Sequence, residues 1–317
     1  MQCIRNNEKF ACISNRTNGS IFRRATFAQI LSPSTKTNIG GKMSFFCATK
    51  FIVSVYIVQC ILCMKPLFTE SELLINVQNQ GGEVIQETIT SNLDDDSIIL
   101  EFQRTDGTLI TQLLDFRNDI QVLKALVLGE EERGQSQYQV MCFVSRLSKN
   151  DFISTDAMSK LRQKNPSTIR QPEEDRGREN FTMTAWVNLR QAAPLSQHIS
   201  TLCTEAADST YISDFDIRIL ASKPGASVSK LELAIYPFPT TQTTLSTCNA
   251  VSGLWTPCTC LLEMCIGWYP CGLKFCKGKI DTGIGNNASY RCGIKTCRKC
   301  YQYLYYVQQK QQCLWYD

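Results

Sequence analysis

Hydrophobic and polar residues alternate through much of the segment from residue 71 to residue 188, which is the spacing of half-buried β-strands. Turn sequences separate the alternating runs. Thr105-Asp-Gly is the clearest of them, because Asp-Gly between two alternating runs is typical of a hairpin. The pattern predicts an antiparallel sheet with strands over 73–77, 84–89, 98–102, 109–113, 138–147 and 181–189.

Two stretches within the same region have the signals of helices. Ser154-Thr-Asp provides an N-cap ahead of an apolar run that Pro166 prevents from continuing. Residues 195–207 place Ile199, Leu202, Cys203 and Ala206 on one side of a second helix. Residues 169–179 carry mixed charges and are predicted to form a loop. A sheet with two helices is an α+β domain, predicted here over residues 71–213.

Past this domain the pattern changes twice. Two short strand-like stretches, FDIRIL and KLELAIY, are followed by a Pro- and Thr-rich run, so 214–247 is predicted to be a linker with short strands. Ten of the seventeen cysteines then lie between Cys248 and Cys313. So short a segment buries little apolar area by itself, so 248–317 is predicted to be a small, mainly-β domain held by disulfides.

An uncharged apolar run, Phe51 to Met64, lies near the beginning of the chain. It is shorter than the roughly 20 residues that cross a bilayer as a helix. Met43 and Lys50 precede it, so 43–63 is predicted to be a signal peptide and 1–42 a non-native or disordered upstream extension. The alternative is a membrane anchor over 45–64. In either interpretation the residues after this run lie in the lumen of the secretory pathway or outside the cell. The protein is therefore expected to be extracellular.

Cysteine usage changes once the signal is set aside, because five of the seventeen cysteines lie at or before Cys63. The remaining twelve can pair completely, and an oxidising compartment favours disulfides. Cys142 and Cys203 are alone in the sheet region and are expected to pair with each other, the alternative being two buried thiols. The twelve expected disulfide cysteines are Cys142, Cys203, Cys248, Cys258, Cys260, Cys265, Cys271, Cys276, Cys292, Cys297, Cys300 and Cys313.

Other classes of chemistry find little support. The net charge of +4 is carried by residues 1–60, which hold eight Lys or Arg and one acid, so the mature chain is mildly acidic and predicts no nucleic-acid binding. A single histidine, His198, has no nucleophile elbow to serve, so no enzyme, catalytic residue or cofactor is expected. Cys297-x-x-Cys300 has zinc-finger spacing, but the compartment favours disulfides over a metal site. Asp94-Asp-Asp96 lacks the spaced ligands of a calcium loop and predicts a turn.

The order of elements around Asp115, Cys142 and Cys203 resembles a BRICHOS domain. More closely, the chain resembles the out at first family over about Leu73 to Trp315. The motifs that carry this resemblance are Asp96-Ser-Ile, Leu128-Gly-Glu, Gly134-Gln-Ser-Gln, the string AMSKLRQKNP ending at Pro166, and Gly267-Trp-Tyr-Pro-Cys271.

The resemblance implies a secreted animal protein with a BRICHOS-like sheet flanked by two helices, a disulfide-rich C-terminal domain and a developmental setting. It implies that Asp115 is a buried polar or pH-sensitive element. It also implies eight cysteines in the C-terminal segment of relatives, so Cys265 and Cys300 are the additional two and are expected to pair with each other.

Aromatic residues crowd the C-terminal segment, and Tyr301, Tyr303 and Tyr305 alternate so that they share one face of a strand. Two interpretations stay open for them, a protein interface and the core of the disulfide domain. Asn180-Phe-Thr and Asn287-Ala-Ser are expected glycosylation sites in an exported chain.

The sequence therefore predicts a secreted, non-enzymatic glycoprotein that acts through contacts with an unidentified protein partner, with no membrane segment in the mature form. Two alternatives are a BRICHOS-type chaperone of aggregation-prone chains in the secretory pathway and, if the apolar run is not a signal, an intracellular regulator.

Overall fold

The computed structural model of the chain describes residues 2–6, 9–13, 71–239, 245–277 and 289–314. The chain divides into two units, residues 1–67 and 68–317. In the first unit, strands β1 (Gln2–Asn6) and β2 (Lys9–Ile13) pair antiparallel, which is regular structure in a stretch expected to be an extension without it. The predicted signal peptide over 43–63 and Asn287 lie outside the described residues.

The second unit is built on a sheet of ten strands. Its central six strands pair antiparallel in sequence order. Alternation predicted five of them but missed the strand Ile120–Leu128, whose run IQVLKALVL is apolar on both faces because both faces are buried. Two short strands extend this arrangement on either side. One pairs parallel with the first of the six central strands, and the other pairs parallel with the last. The strands are β3 (Ser71–Gln78), β4 (Val84–Asn92), β5 (Ser97–Gln103), β6 (Leu109–Asp115), β7 (Ile120–Leu128), β8 (Tyr138–Arg146), β9 (Ile169–Arg170), β11 (Ala185–Val187), β12 (Thr210–Ile212) and β13 (Ile235–Pro237).

A second sheet has three strands, β10 (Glu174–Thr182), β14 (Cys258–Lys277) and β15 (Ser289–Val307), with β15 in the middle. The prediction of a loop over 169–179 is wrong, because β9 and most of β10 lie there. Strand β10 is an edge strand, and its acids pair with cations of the hairpin: Asp175 Oδ2 lies 2.7 Å from Arg298 Nη1. Mixed charge on an edge strand looks like a loop in sequence. The single strand predicted over 181–189 is divided between β10 and β11.

The helices are short, and side chains cap most of them. Ser154 Oγ accepts a hydrogen bond from Ala157 N at the first helix, and Ser196 Oγ from His198 N at the second. The second helix is shorter than the predicted 195–207 and is followed by a 3-10 turn at Ala207–Ser209. The helices are α1 (Thr155–Ser159), α2 (Gln197–Leu202), α3 (Asp214–Ala221) and α4 (Val228–Leu233), and other 3-10 turns lie at Glu131–Arg133, Leu189–Gln191, Cys248–Ala250 and Lys310–Gln312.

Strands were predicted within 214–247, and this is wrong for the two helices α3 and α4. In α3 the buried residues Ile217 and Leu220 are three apart, which is a helical spacing, and Leu231 of α4 is buried beside them in the same core. Short runs with few apolar residues fit both periods, so the sequence pattern could not separate them. Part of the Pro- and Thr-rich run, 240–244, lies outside the described residues.

Two hydrophobic cores lie on opposite faces of the ten-stranded sheet. Helices α2, α3 and α4 cover one face, which includes Val122, Val140 and Val144. The hairpin of β14 and β15 covers the other, where Leu262 and Tyr303 join residues of β3 to β8 in one cluster. The C-terminal segment was predicted to be a separate small domain held by disulfides. It shares its core with the sheet, since the hairpin alone has too little apolar surface to bury.

None of the helices in the described residues is long and apolar enough to span a membrane, the longest having eight residues.

Candidate protein-contact surface

An apolar patch lies exposed on the helix-covered face of the ten-stranded sheet, beyond the end of the helices. Leu109, Leu128 and Tyr138 are 46%, 57% and 61% exposed, and Leu126 is half-buried between them. Leu109 is directly opposite Leu126, and Leu128 is directly opposite Tyr138, so the four side chains are neighbours across β6, β7 and β8. These four residues are called the sheet patch below.

The strands under the sheet patch are firmly held. The residues that alternate with it point into the hairpin-covered core, where Ile110, Val127 and Met141 are almost fully buried. The turn at Gly107 adjoins the patch: this residue has φ +85°, and an added Cβ would lie 3.0 Å from Leu128 Cδ1. A preformed apolar surface on rigid strands suits binding of another protein, because little conformational entropy is lost.

The tyrosines that alternate on β15 belong to the core. Tyr301, Tyr303 and Tyr305 are at most 3% exposed, and the ring of Tyr303 stacks on Phe143 of β8 with centroids 4.6 Å apart. Polar side chains lie beside their hydroxyls, Gln112 near Tyr301 and Ser145 near Tyr303. Of the two interpretations open for these residues, the core is the correct one. Trp255, Phe275 and Tyr290 of the same segment are exposed.

Disulfides connect the hairpin along its length. Three of them join β14 to β15, and two others tie the flanking residues. The structure contains the Cys265–Cys300 pair expected from the family resemblance and the Cys142–Cys203 pair expected from the sequence. Two sulfur clusters lie close enough to suggest a metal site, but their cysteines are all disulfide-bonded and offer no thiolate. The other pairs are Cys248–Cys258, Cys260–Cys313, Cys271–Cys297 and Cys276–Cys292.

Sequence comparison decides the family. Residues 71–220 match the family described as "Out at first", and residues 247–317 match "Out at first, C-terminal". The chain is 61% identical over 270 residues to the out at first protein of Drosophila virilis, covering 82% of this chain and 87% of that protein. It is 62% identical over 265 residues to that of Drosophila melanogaster, covering 81% of this chain and 54% of that protein.

The chain belongs to the out at first family. No solved structure matches it. The two matched regions of this out at first chain share the hairpin-covered core, so the family boundaries divide the sequence but not the packing.

Asp115, the aspartate expected from the BRICHOS resemblance, is fully buried at the end of β6 in this out at first chain. Its Oδ1 accepts a hydrogen bond from Asn118 N at 2.9 Å, and its Oδ2 accepts one from Ser196 Oγ at 2.6 Å. Ser196 is the residue that caps α2. The carboxylate thus links the β6–β7 turn to the start of α2. Cys203 directly follows the last residue of this helix.

A charged cleft of about 630 Å³ lies between the end of β8, α3, β10 and β15. Asp119 lies between two lysines, with Lys149 Nζ and Lys223 Nζ each 2.8 Å from a carboxylate oxygen. Burial opposes its charge, but the two lysines hold the pKa of Asp119 below its ordinary value. Lys299 Nζ similarly lies 2.6 Å from Asp151 and 2.7 Å from Glu179. Because its cations are compensated, the cleft is a weaker candidate than the sheet patch for binding a partner.

The remaining residues singled out in the sequence have local roles. His198 is half-buried on α2. Asp95 and Asp96 lie in a turn, where Asp95 accepts a hydrogen bond from Asn92 and Asp96 accepts one from Thr155 Oγ1. Asn180 is exposed on the edge strand β10. The sequence pattern did not predict the sheet patch, although apolar residues of β7 and β8 continue past those that the helices bury, and that continuation is its signal.

Proposed function

We propose that this member of the out at first family is a secreted, non-enzymatic protein that acts outside the cell by binding a protein partner through the sheet patch. The observation that carries the proposal is the contiguous exposure of Leu109, Leu128 and Tyr138 on rigid strands. Exposed apolar groups with a tyrosine among them are characteristic of the central residues of interfaces.

Several features support the extracellular part of the proposal. All twelve cysteines after Cys63 are paired in six disulfides, which persist in oxidising compartments. The apolar run ahead of them has the features of a signal peptide. Asn180 is exposed on an edge strand, as a glycosylated asparagine must be, and Asn287 is a second expected site. Family membership favours a developmental setting.

The proposal is tested by adding purified, labelled protein to cultured cells. We expect saturable binding to a specific cell type, and a protein recovered from medium with its six disulfides and a mature N-terminus after the signal. Leu128→Ser with Tyr138→Ser should weaken binding at least about tenfold, the effect of losing an interface hot spot. The matched control is Leu233→Ser with Tyr290→Ser, which removes residues of similar exposure (62% and 56%) elsewhere. Equal binding by both variants, or absence of the protein from medium, contradicts the proposal.

A BRICHOS-type chaperone is the second candidate. It is favoured by the sheet flanked by helices, by the Cys142–Cys203 link and by the buried Asp115, which together match the arrangement that the resemblance implies. In that case the sheet patch would bind unfolded β-prone segments of many sequences. Suppressed aggregation of unrelated β-prone substrates at low stoichiometry, lost in the Leu128→Ser, Tyr138→Ser variant, would favour this candidate over a specific partner.

A further inference from the structure

A second apolar site lies at the β3 edge of the ten-stranded sheet, far along the strand order from the sheet patch. It is a cavity of about 330 Å³, within the usual range for small-molecule sites of roughly 300–1,000 Å³. Its base is formed by the nearly buried side chains of Leu73, Ile75 and Trp268, which are 7%, 2% and 5% exposed. Leu161 and Ile294 complete the apolar wall.

Three arginines line the same cavity, one from each of three segments: Arg162 follows α1, Arg170 is in β9, and Arg291 is in β15. No acidic residue is in the lining, and within the described residues no carboxylate forms an ion pair with any of the three. Other arginines are paired with a carboxylate, as Arg178 is with Glu263 at 2.8 Å and Arg298 with Asp175 at 2.7 Å. Three guanidinium groups around an apolar cavity therefore lack the anions that they bind best.

The walls of the cavity are held in place without a ligand. The segment after α1 is fixed to β3 by hydrogen bonds from Gln163 Nε2 to Leu74 O and from Asn76 Nδ2 to Pro166 O, the second 3.2 Å long. Strand β9 then pairs with β3, which positions Arg170 opposite Val77. Arg162 Nη1 donates to Ser159 O and Leu161 O at 3.1 and 3.0 Å, which limits the motion of its side chain. A preformed site loses less conformational entropy on binding.

We propose that this cavity binds a small amphiphilic anion, with an aliphatic chain against Leu73, Ile75 and Trp268 and one acidic head group on Arg162, Arg170 and Arg291. Charge complementarity identifies the head group, because the planar fork of arginine matches a carboxylate or phosphate. The apolar base identifies the chain. The proposal does not depend on the protein partner proposed for the sheet patch.

Calorimetric titration of the full disulfide-bonded protein tests the site, with laurate and dodecyl phosphate as probes below their micelle concentrations. We expect one site per chain. The variant with Arg162→Gln, Arg170→Gln and Arg291→Gln should bind at least about tenfold more weakly, because hydrogen bonds to a charged group are lost. Dodecanol, which has the chain without the charge, should bind weakly to the native protein. The tighter of the two acidic probes identifies the head group.

Two controls keep the result interpretable. Arg190→Gln removes an exposed arginine outside the cavity and should leave binding unchanged, and so should the Leu128→Ser, Tyr138→Ser variant. If the triple variant unfolds, Arg170→Gln and Arg291→Gln are tested singly. Absence of binding by both acidic probes, equal binding of dodecanol, or unchanged binding by a folded arginine variant overturns the proposal.

Discussion

The two faces of the ten-stranded sheet are covered by layers of very different construction. The hairpin of β14 and β15 brings long strands, stacked aromatic rings and three disulfides between its own strands. The helical layer consists of helices of six to eight residues, linked to the sheet by one disulfide, Cys142–Cys203. Helices this short are unstable alone in water. The hairpin layer is therefore stabilised by many redundant contacts, whereas the helical layer depends on a few.

The largest loss of stability expected from a substitution comes from removing the disulfide of the helical layer. Cys142→Ala with Cys203→Ala should lower the free energy of unfolding by about 4 kcal/mol, because the bond closes a loop with a sequence separation of 61. Denaturant unfolding monitored by circular dichroism measures the change.

The matched variant in the hairpin is Cys276→Ala with Cys292→Ala, where the sequence separation is 16. Loop entropy gives about 3 kcal/mol for this pair. A larger loss for the hairpin pair than for the Cys142–Cys203 pair would contradict the proposed difference between the layers.

Asp115→Asn tests the second tie between the helical layer and the sheet. The amide would present a donor toward Asn118 or Ser196, both of which donate to the native carboxylate. Loss of hydrogen bonds to a charged group should cost about 2 kcal/mol and weaken the cap of α2. The change is measured by denaturant unfolding and by amide hydrogen exchange of α2. The control, Asp156→Asn, removes an exposed ion pair and should change stability by less than about 0.5 kcal/mol; equal losses would refute the role of Asp115.

On the hairpin-covered face, Glu87 is fully buried, and within the described residues neither carboxyl oxygen has a hydrogen bond of good geometry. The nearest backbone groups are those of Gly267 and Trp268, where β14 departs from regular pairing. Burial raises the pKa of Glu87 to about 8. The folded chain therefore keeps this proton at a pH where the unfolded chain has lost it.

The stability contributed by the Glu87 proton is complete below about pH 4.5 and is lost as the pH rises toward 8. The free energy of unfolding should fall by up to about 1.4 kcal/mol per pH unit across that window from this group. Glu87→Gln should remove that decline, because the amide stays neutral. The exposed Glu72→Gln should leave it unchanged, and a wild-type profile as flat as that of Glu87→Gln would disprove the buried proton.

The sequence could predict the strands whose alternation spans both a buried and a partly exposed face, such as 98–102 and 109–113. It could also predict the Cys142–Cys203 pair, because no other cysteine lies nearby in the sequence. The Cys265–Cys300 pair was predicted from the family resemblance rather than from cysteine spacing.

The rest depended on contacts between distant segments. Strand β10 is recognisable only through the cations of β15 that pair with its acids, such as Arg298. The tyrosines of β15 were ambiguous because an interface and a core use the same residues, and only packing on Phe143 decides between them. The three arginines of the cavity at the β3 edge are spread from Arg162 to Arg291, so no local sequence pattern could predict that they lie together.

The smallest expected effect concerns the polar groups inside the hairpin-covered core. Gln121 Nε2 donates to Ser145 Oγ at 3.0 Å, and the same serine is the polar group beside the Tyr303 hydroxyl. Tyr303→Phe keeps the ring stacked on Phe143 but removes the hydroxyl from this group of buried polar side chains, so it should cost about 1 kcal/mol. Ser145→Ala and the double variant complete a cycle measured by denaturant unfolding. A coupling energy of about 0.5 kcal/mol or more is expected for direct contact; additive losses would mean that the ring, rather than its hydroxyl, connects the hairpin to the sheet.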